Sequence, residues 1–268
     1  MKRLLPWVAI TIVALIWNVT AFAGSSQSDG AAQFEPQAIA SFAKKVERAA
    51  AKRGARVFLL SRVGRPSAEL PPGLEYTHVG FGVYSQITTD DGRTVPGYAM
   101  YNLYQRADQP DRSHIVVDFP ADFFGAVYEL KAAILIPKPE LQRRLLKVIG
   151  SNTHKDLHNP RYSAISNPFN TKLQNCTEYL LDVIQAAIYE TDDVAQIKKN
   201  SQTYFEPQEI HVNPFKLLLG TLFMPDISVS DHDGEIATAT FTTVAKYLEK
   251  YGMVDEQFTL VATGEPGI

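Results

Sequence analysis

Cysteine is nearly missing from this chain: Cys176 is the only one in 268 residues. A single thiol can form no intrachain disulfide, so the fold must rest on its core. No cysteine follows the N-terminal apolar stretch, which excludes a bacterial lipoprotein anchor. Charge of one sign is also scarce. Lys+Arg number 26 and Asp+Glu 29, for a formal net charge of −3, which offers no electrostatic basis for binding nucleic acid. There is no internal repeat and no low-complexity tract. A metal motif is missing as well. His154 and His158 stand four apart, a helical ligand spacing. However, Asn159-Pro160 ends any helix there, and no glutamate completes the zinc-protease pattern. Asp231-His232-Asp233-Gly234 reads as a polar turn, and His114 as a surface histidine before a strand. No metal and no cofactor are expected.

What is present begins with a leader. Lys2 and Arg3 form a basic start, Leu4 to Trp17 an apolar run, and Ala21-Phe22-Ala23 before Gly24 a small-residue cleavage site. This is the pattern of a secretory signal peptide over 1–23, cleaved near Ala23–Gly24. The run is short for a membrane span and no stop-transfer pattern follows, so no stable span is expected after cleavage. Residues 24–33 are small and polar and read as a flexible lead-in. Residues 34–268 read as one domain, with a core at about 55–190 and a C-terminal helical extension over 191–268. At 45 % hydrophobic residues, that length can bury a sizeable core.

Periodicity predicts a helix from Phe34 to Arg53, with Ala40, Phe42, Ala43, Val46 and Ala50 inward and Gly54 as its stop. A strand follows within Arg56–Val63. Thr77–Thr88 and Tyr98–Arg106, joined through Asp90-Asp91-Gly92, read as a long hairpin. Ser113–Phe119 and Lys131–Pro137 read as strands, and Pro139–Ile149 as a helix with proline in its first turn. Further helices are expected from Cys176, over about Asp192–Tyr204, and over Phe241–Tyr251. Pro214–Phe223 is an apolar segment, and Glu235–Thr240 reads as a short strand. The fold class expected is α+β, an antiparallel sheet packed against helices.

Two stretches carry candidate chemistry. Asn175 followed by Glu178 resembles a capping box. It puts Cys176 in a first helical turn, where free N–H groups and the helix dipole favour an anion. A thiol there is expected to have a lowered pKa and raised nucleophilicity. Upstream, His78 opens a strand in which His78, Gly80 and Gly82 share one face and Val79, Phe81 and Val83 the other. Glycine within a strand marks close approach of another group. A helix carrying Cys176 and packed on that smooth face would bring thiol and imidazole together.

His-Val-Gly opening a strand, followed much later by Asn-Cys-x-x-Tyr opening a helix, resembles the circularly permuted papain-like proteins. These include NlpC-type hydrolases and lecithin:retinol acyltransferase-like enzymes. The resemblance implies a permuted papain-like core, with Cys176 as nucleophile and His78 as base. It also implies a third, polar residue on the strand after the histidine strand. Counting back across the hairpin puts the position opposite His78 near Tyr104, so the choices are Asn102 or Gln105. Asn102 is preferred because it can accept from the imidazole N–H. The chain, including Gly97-Tyr98, Asn167-Pro168-Phe169 and Ser230–Gly234, is also similar to an uncharacterised periplasmic family of Gram-negative bacteria.

The function expected is a periplasmic thiol hydrolase or acyltransferase. It would act on an amide or ester of the cell envelope, whether peptide, glycan-linked or lipid acyl, through a Cys176 thioester. Two alternatives stand beside it: a non-catalytic envelope binding or scaffold protein on the same fold, and a redox-linked single-thiol protein.

Overall fold

The computed structural model describes residues 33–89, 91–211, 224 and 226–262. The leader, the lead-in and the apolar segment at 214–223 therefore lie outside the described residues.

Helix α1 (Pro36–Lys52) starts on a proline at its first position and ends before Gly54, whose φ of +66° a side-chain-bearing residue would resist. Its buried stripe is Ile39, Phe42, Ala43, Val46 and Ala50. Ile39 takes the place expected for Ala40, which is exposed. Strands β1 (Val57–Val63), β2 (His78–Thr88), β3 (Thr94–Gln105), β4 (Ser113–Asp118) and β5 (Glu129–Pro137) form most of one sheet. A short helix α2 (Pro120–Phe123) lies between β4 and β5. Helices α3 (Pro139–Ile149), α4 (Thr153–Asp156), α5 (Cys176–Tyr189) and α6 (Val194–Tyr204) follow. A two-residue pair, β6 (Gln208–Glu209) with β7 (Ala237–Thr238), precedes α7 (Phe241–Lys250) and β8 (Val254–Val261).

The sheet order is β4-β3-β2-β1-β5-β8, and every pair is antiparallel. The protein is therefore α+β. The C-terminal extension is not wholly helical, because β8 pairs along β5 and closes that edge of the sheet. Asp255-Glu256-Gln257 hides this strand in the sequence; Phe258 and Leu260 pack against one core and Val254 against the other. None of the described helices is long and apolar enough to cross a membrane.

Two cores flank the sheet. On one face α1 and α2 pack over Phe58, Leu60, Met100 and Ile134. On the other, α3, α5 and α7 pack over Leu59, Val79, Phe81 and Leu135. Alternation along each strand makes this division. Helix α5 is buried on every side from Cys176 to Ala187, which explains why its sequence is apolar nearly all round.

Candidate functional site

The strand register settles what His78 faces. His78 pairs with Arg62 on β1, and Gly80 with Asn102 on β3. His78, Gly80, Gly82, Asn102 and Tyr104 therefore share the face covered by α1 and α2. The two glycines serve that face. A β-carbon on Gly80 would stand 2.3 Å from the Asn102 Oδ1, and one on Gly82 2.2 Å from the Phe58 ring. The smooth surface is thus filled by Asn102 and Phe58. Helix α5 packs instead on the Val79, Phe81 and Val83 face, opposite to the face expected from the glycines.

Cys176 nonetheless reaches the end of the histidine strand. The β2–β3 ladder stops at Gly80–Asn102, one residue short of Val79. The backbone N–H groups of Val79 and Thr177 lie close enough to the Cys176 sulfur to favour its anion. The Thr177 hydroxyl lies 3.9 Å from the sulfur. The thiol so occupies a backbone position immediately next to His78. Asn175 caps α5: its Oδ1 accepts from the Glu178 N–H at 2.8 Å, and its Nδ2 donates to the Ala164 carbonyl and to Thr238 Oγ1. The Glu178 side chain does not close a capping box; it binds Ser166 and Lys198.

Asn102 is the polar residue at the imidazole. Its Oδ1 stands 3.4 Å from His78 Nε2, while its Nδ2 donates to Asp118 Oδ1 at 2.7 Å and to the Met100 carbonyl at 3.2 Å. With the amide nitrogen committed to two acceptors, Oδ1 must be the acceptor toward the ring. Nε2 then carries the hydrogen and Nδ1 the lone pair. Nδ1 is buried and has no hydrogen-bond partner among the described residues, so no such bond joins it to the thiol. Gln105 is elsewhere, donating to the Pro110 carbonyl at 2.9 Å.

A layer that sequence reasoning missed supports the ring. His78 stacks on Tyr104 at 4.6 Å between centroids and leans on Phe123 at 5.3 Å. The Tyr104 hydroxyl donates to Asp118 Oδ2 at 3.1 Å. Arg62 is fully buried; its guanidinium lies over Tyr104 and Phe123 and donates to the Phe123 carbonyl. Arginine in the middle of the apolar run Val57–Val63 was the available signal, since an arginine there must be partnered.

The electrostatics reverse one expectation. Burial is the largest influence on Cys176 and raises its pKa, against the opposing pull of the Val79 N–H, the Thr177 hydroxyl and Arg62. Burial, and then the Arg62 charge, hold the His78 pKa well below its ordinary value. Thiol and imidazole are therefore both neutral at rest. The helix N-terminus does not make a thiolate here, because desolvation outweighs the dipole. Burial also pushes the Asp118 carboxyl up to about 7.

Cys176 is 5 % exposed and lines a cavity of about 210 Å³ together with Tyr76, Thr77, Tyr162, Thr238 and Thr240. The other histidines lie apart from this cluster. His154 Nδ1 meets the Ser151 carbonyl, His158 Nε2 the Ser113 hydroxyl, and His232 Nε2 the Ile165 carbonyl.

A family model described as an uncharacterized protein conserved in bacteria (DUF2145) matches residues 49–248. The chain belongs to that family. No curated protein and no solved structure matches it.

Proposed function

We propose that this family member is a thiol hydrolase or acyltransferase working through a thioester on Cys176. One observation carries the reading: a buried imidazole nitrogen with no hydrogen-bond partner among the described residues, on the residue next to Val79, whose N–H pulls on the chain's one thiol. Asn102 fixes the tautomer that leaves this nitrogen free.

The chemistry follows from two neutral partners. As Sγ attacks a substrate carbonyl, the thiol and the ring, which no hydrogen bond joins at rest, must turn toward each other past the end of the strand for the thiol proton to pass to His78 Nδ1, and the carbonyl electron pair moves to oxygen. The oxyanion is met by the first N–H groups of α5, that of Cys176 among them. The C–N or C–O bond then breaks, and the leaving group takes the proton from Nδ1. Water or an acceptor, deprotonated by the same nitrogen, attacks the thioester and returns the thiol. With no standing thiolate–imidazolium pair, the proton moves as the S–C bond forms.

The fold that the His-Val-Gly and Asn-Cys-x-x-Tyr motifs suggest for this chemistry is a permuted papain-like core. The leader pattern supports a periplasmic location for the mature chain, and with it an amide or ester of the envelope as substrate. Incubation of the native protein with p-nitrophenyl acetate tests the mechanism. Mass spectrometry should find acetyl on Cys176 in the parent chain and none in Cys176→Ser. Formation should be about 10²–10⁴-fold slower in His78→Gln. Absence of the adduct from the native parent chain sinks the proposal.

The burial of Cys176 favours a second reading, a non-catalytic envelope scaffold in which the thiol is a core residue. In that case alkylation requires unfolding. A redox-linked protein would instead show a mixed disulfide on non-reducing gels of periplasm.

A further inference from the structure

Two oppositely charged side chains line the cavity beside Cys176, and neither satisfies the other. Asp226 is only 3 % exposed, and its Oδ1 has no hydrogen-bond partner among the described residues. Arg65 lines the same cavity, and its Nη2 is buried without a partner among the described residues. Burial raises the Asp226 pKa and the Arg65 charge pulls it back, yet no salt bridge joins them. A buried carboxylate oxygen and a buried guanidinium nitrogen are both costly to leave open. Both residues line one cavity.

Asp226 is also held rigidly near the thiol. Its carbonyl accepts from the Ala164 N–H at 2.8 Å, and the Ala164 carbonyl accepts from the Asn175 amide, the residue before Cys176. Ser228 is bonded to the Ser163 hydroxyl, which fixes the following turn. Much of the remaining wall is apolar, including Leu70, Leu74 and Ile227.

We propose that this cavity is an amino-acid subsite, in which Asp226 binds an α-ammonium and Arg65 binds the carboxylate of the same unit. A carboxylate accepts only and a guanidinium donates only, so a ligand completing both must carry a cationic donor and an anionic acceptor. The space suits a head group of a few heavy atoms on an apolar stem. The substrate class is then an acyl compound bearing a free zwitterionic amino-acid head, not one whose amine is acylated. The inference rests on the thioester reading for which bond is attacked, but the binding site stands on Asp226 and Arg65 alone.

Alanine is the probe, with alaninamide lacking the carboxylate and propionate lacking the ammonium. Two readouts are followed on the full mature chain: thermal shift, and the rate at which iodoacetamide modifies Cys176. Alanine should raise Tm and slow alkylation, and both analogues should do markedly less. Asp226→Asn and Arg65→Met should each weaken the alanine effect about tenfold or more, in line with loss of a charge-assisted bond. A Tm shift with a native thiol that never alkylates supports the subsite and rejects the thioester reading. Normal alkylation that alanine leaves unchanged, with no shift in Tm, overturns the subsite and leaves the thioester reading standing. Equal effects of alanine and propionate also overturn it.

Discussion

Two buried polar clusters lie at the two ends of the machinery, and they differ in one respect. Beneath α5, Lys198 donates to Glu178 Oε1 at 2.6 Å and to both oxygens of Asp182 at 2.8 Å. Ser166 donates to the remaining Glu178 oxygen, and Gln174 to Asp182. Every charged group there is answered. Around His78, Asn102 and Asp118 are answered as well, but the chain of bonds stops at Nδ1, which has none. An ion network answered in this way holds elements in place, whereas an open valence inside a core is a cost; Nδ1 of His114 and His232 and the Ser201 hydroxyl carry the same cost, and His78 differs from them in standing next to Val79 at the thiol. The comparison separates a clamp from a site: α6 clamps the helix that carries Cys176, and the His78 cluster keeps one nitrogen free beside it.

The largest effect that would break this distinction is on stability. Lys198→Met removes the cation shared by two buried carboxylates. It should cost about 3–5 kcal/mol, the usual penalty for stranding a buried charge, measured by urea unfolding. If the variant unfolds with the parent chain, α6 is not a clamp. Asn102→Leu acts on the other cluster. It removes the ring's partner while Asp118 keeps its bond from Tyr104. Acetylation of Cys176 by p-nitrophenyl acetate should fall about 10–100-fold, as when a partner that orients a reactive imidazole is removed. Restoring the amide as Asn102→Gln should recover little, because Gly80 leaves room for the shorter side chain in register.

How much of this was legible in the sequence depends on periodicity. The hairpin, the five central strands and the helices from Pro36, Pro139, Cys176 and Val194 follow from alternation and caps, and their ends moved by only a few residues. Strand β8 was hidden by its acidic start, since a half-exposed edge strand carries few apolar residues. Within the site, the hairpin count placed Tyr104 opposite His78, where the two rings do stack. What could not be read was the side of the sheet taken by α5. The glycines were visible, but what fills a glycine's space is decided by tertiary packing: here Asn102 and Phe58. Nor could the thiol's burial be read from a helix N-terminus alone.

The clamp makes a smaller, pH-dependent prediction. Burial pushes Glu178 up to about 8, with Lys198 pulling the other way. A carboxyl whose folded pKa is above its unfolded value binds more protons when folded, so its effect on stability is lost as pH rises. With Asp118 raised to about 7, both act in the same direction. The contribution of these two carboxyls to stability should therefore decline from the ordinary carboxylate range up to about pH 8. Urea titrations in Glu178→Gln should show a shallower decline. An unchanged slope would mean that the clamp does not hold a proton.

The account turns on the free lone pair at His78, and long-range nitrogen–proton NMR of the imidazole reads it directly. The structure predicts a neutral ring with hydrogen on Nε2 and an unprotonated Nδ1, still unchanged as the pH falls through the ordinary histidine value of ~6.5, because the His78 pKa is held well below it. In Asn102→Leu that tautomer should lose its preference. Hydrogen on Nδ1 in the parent chain, or an imidazolium at neutral pH, would contradict it: the nitrogen proposed to receive the Cys176 proton would already be occupied.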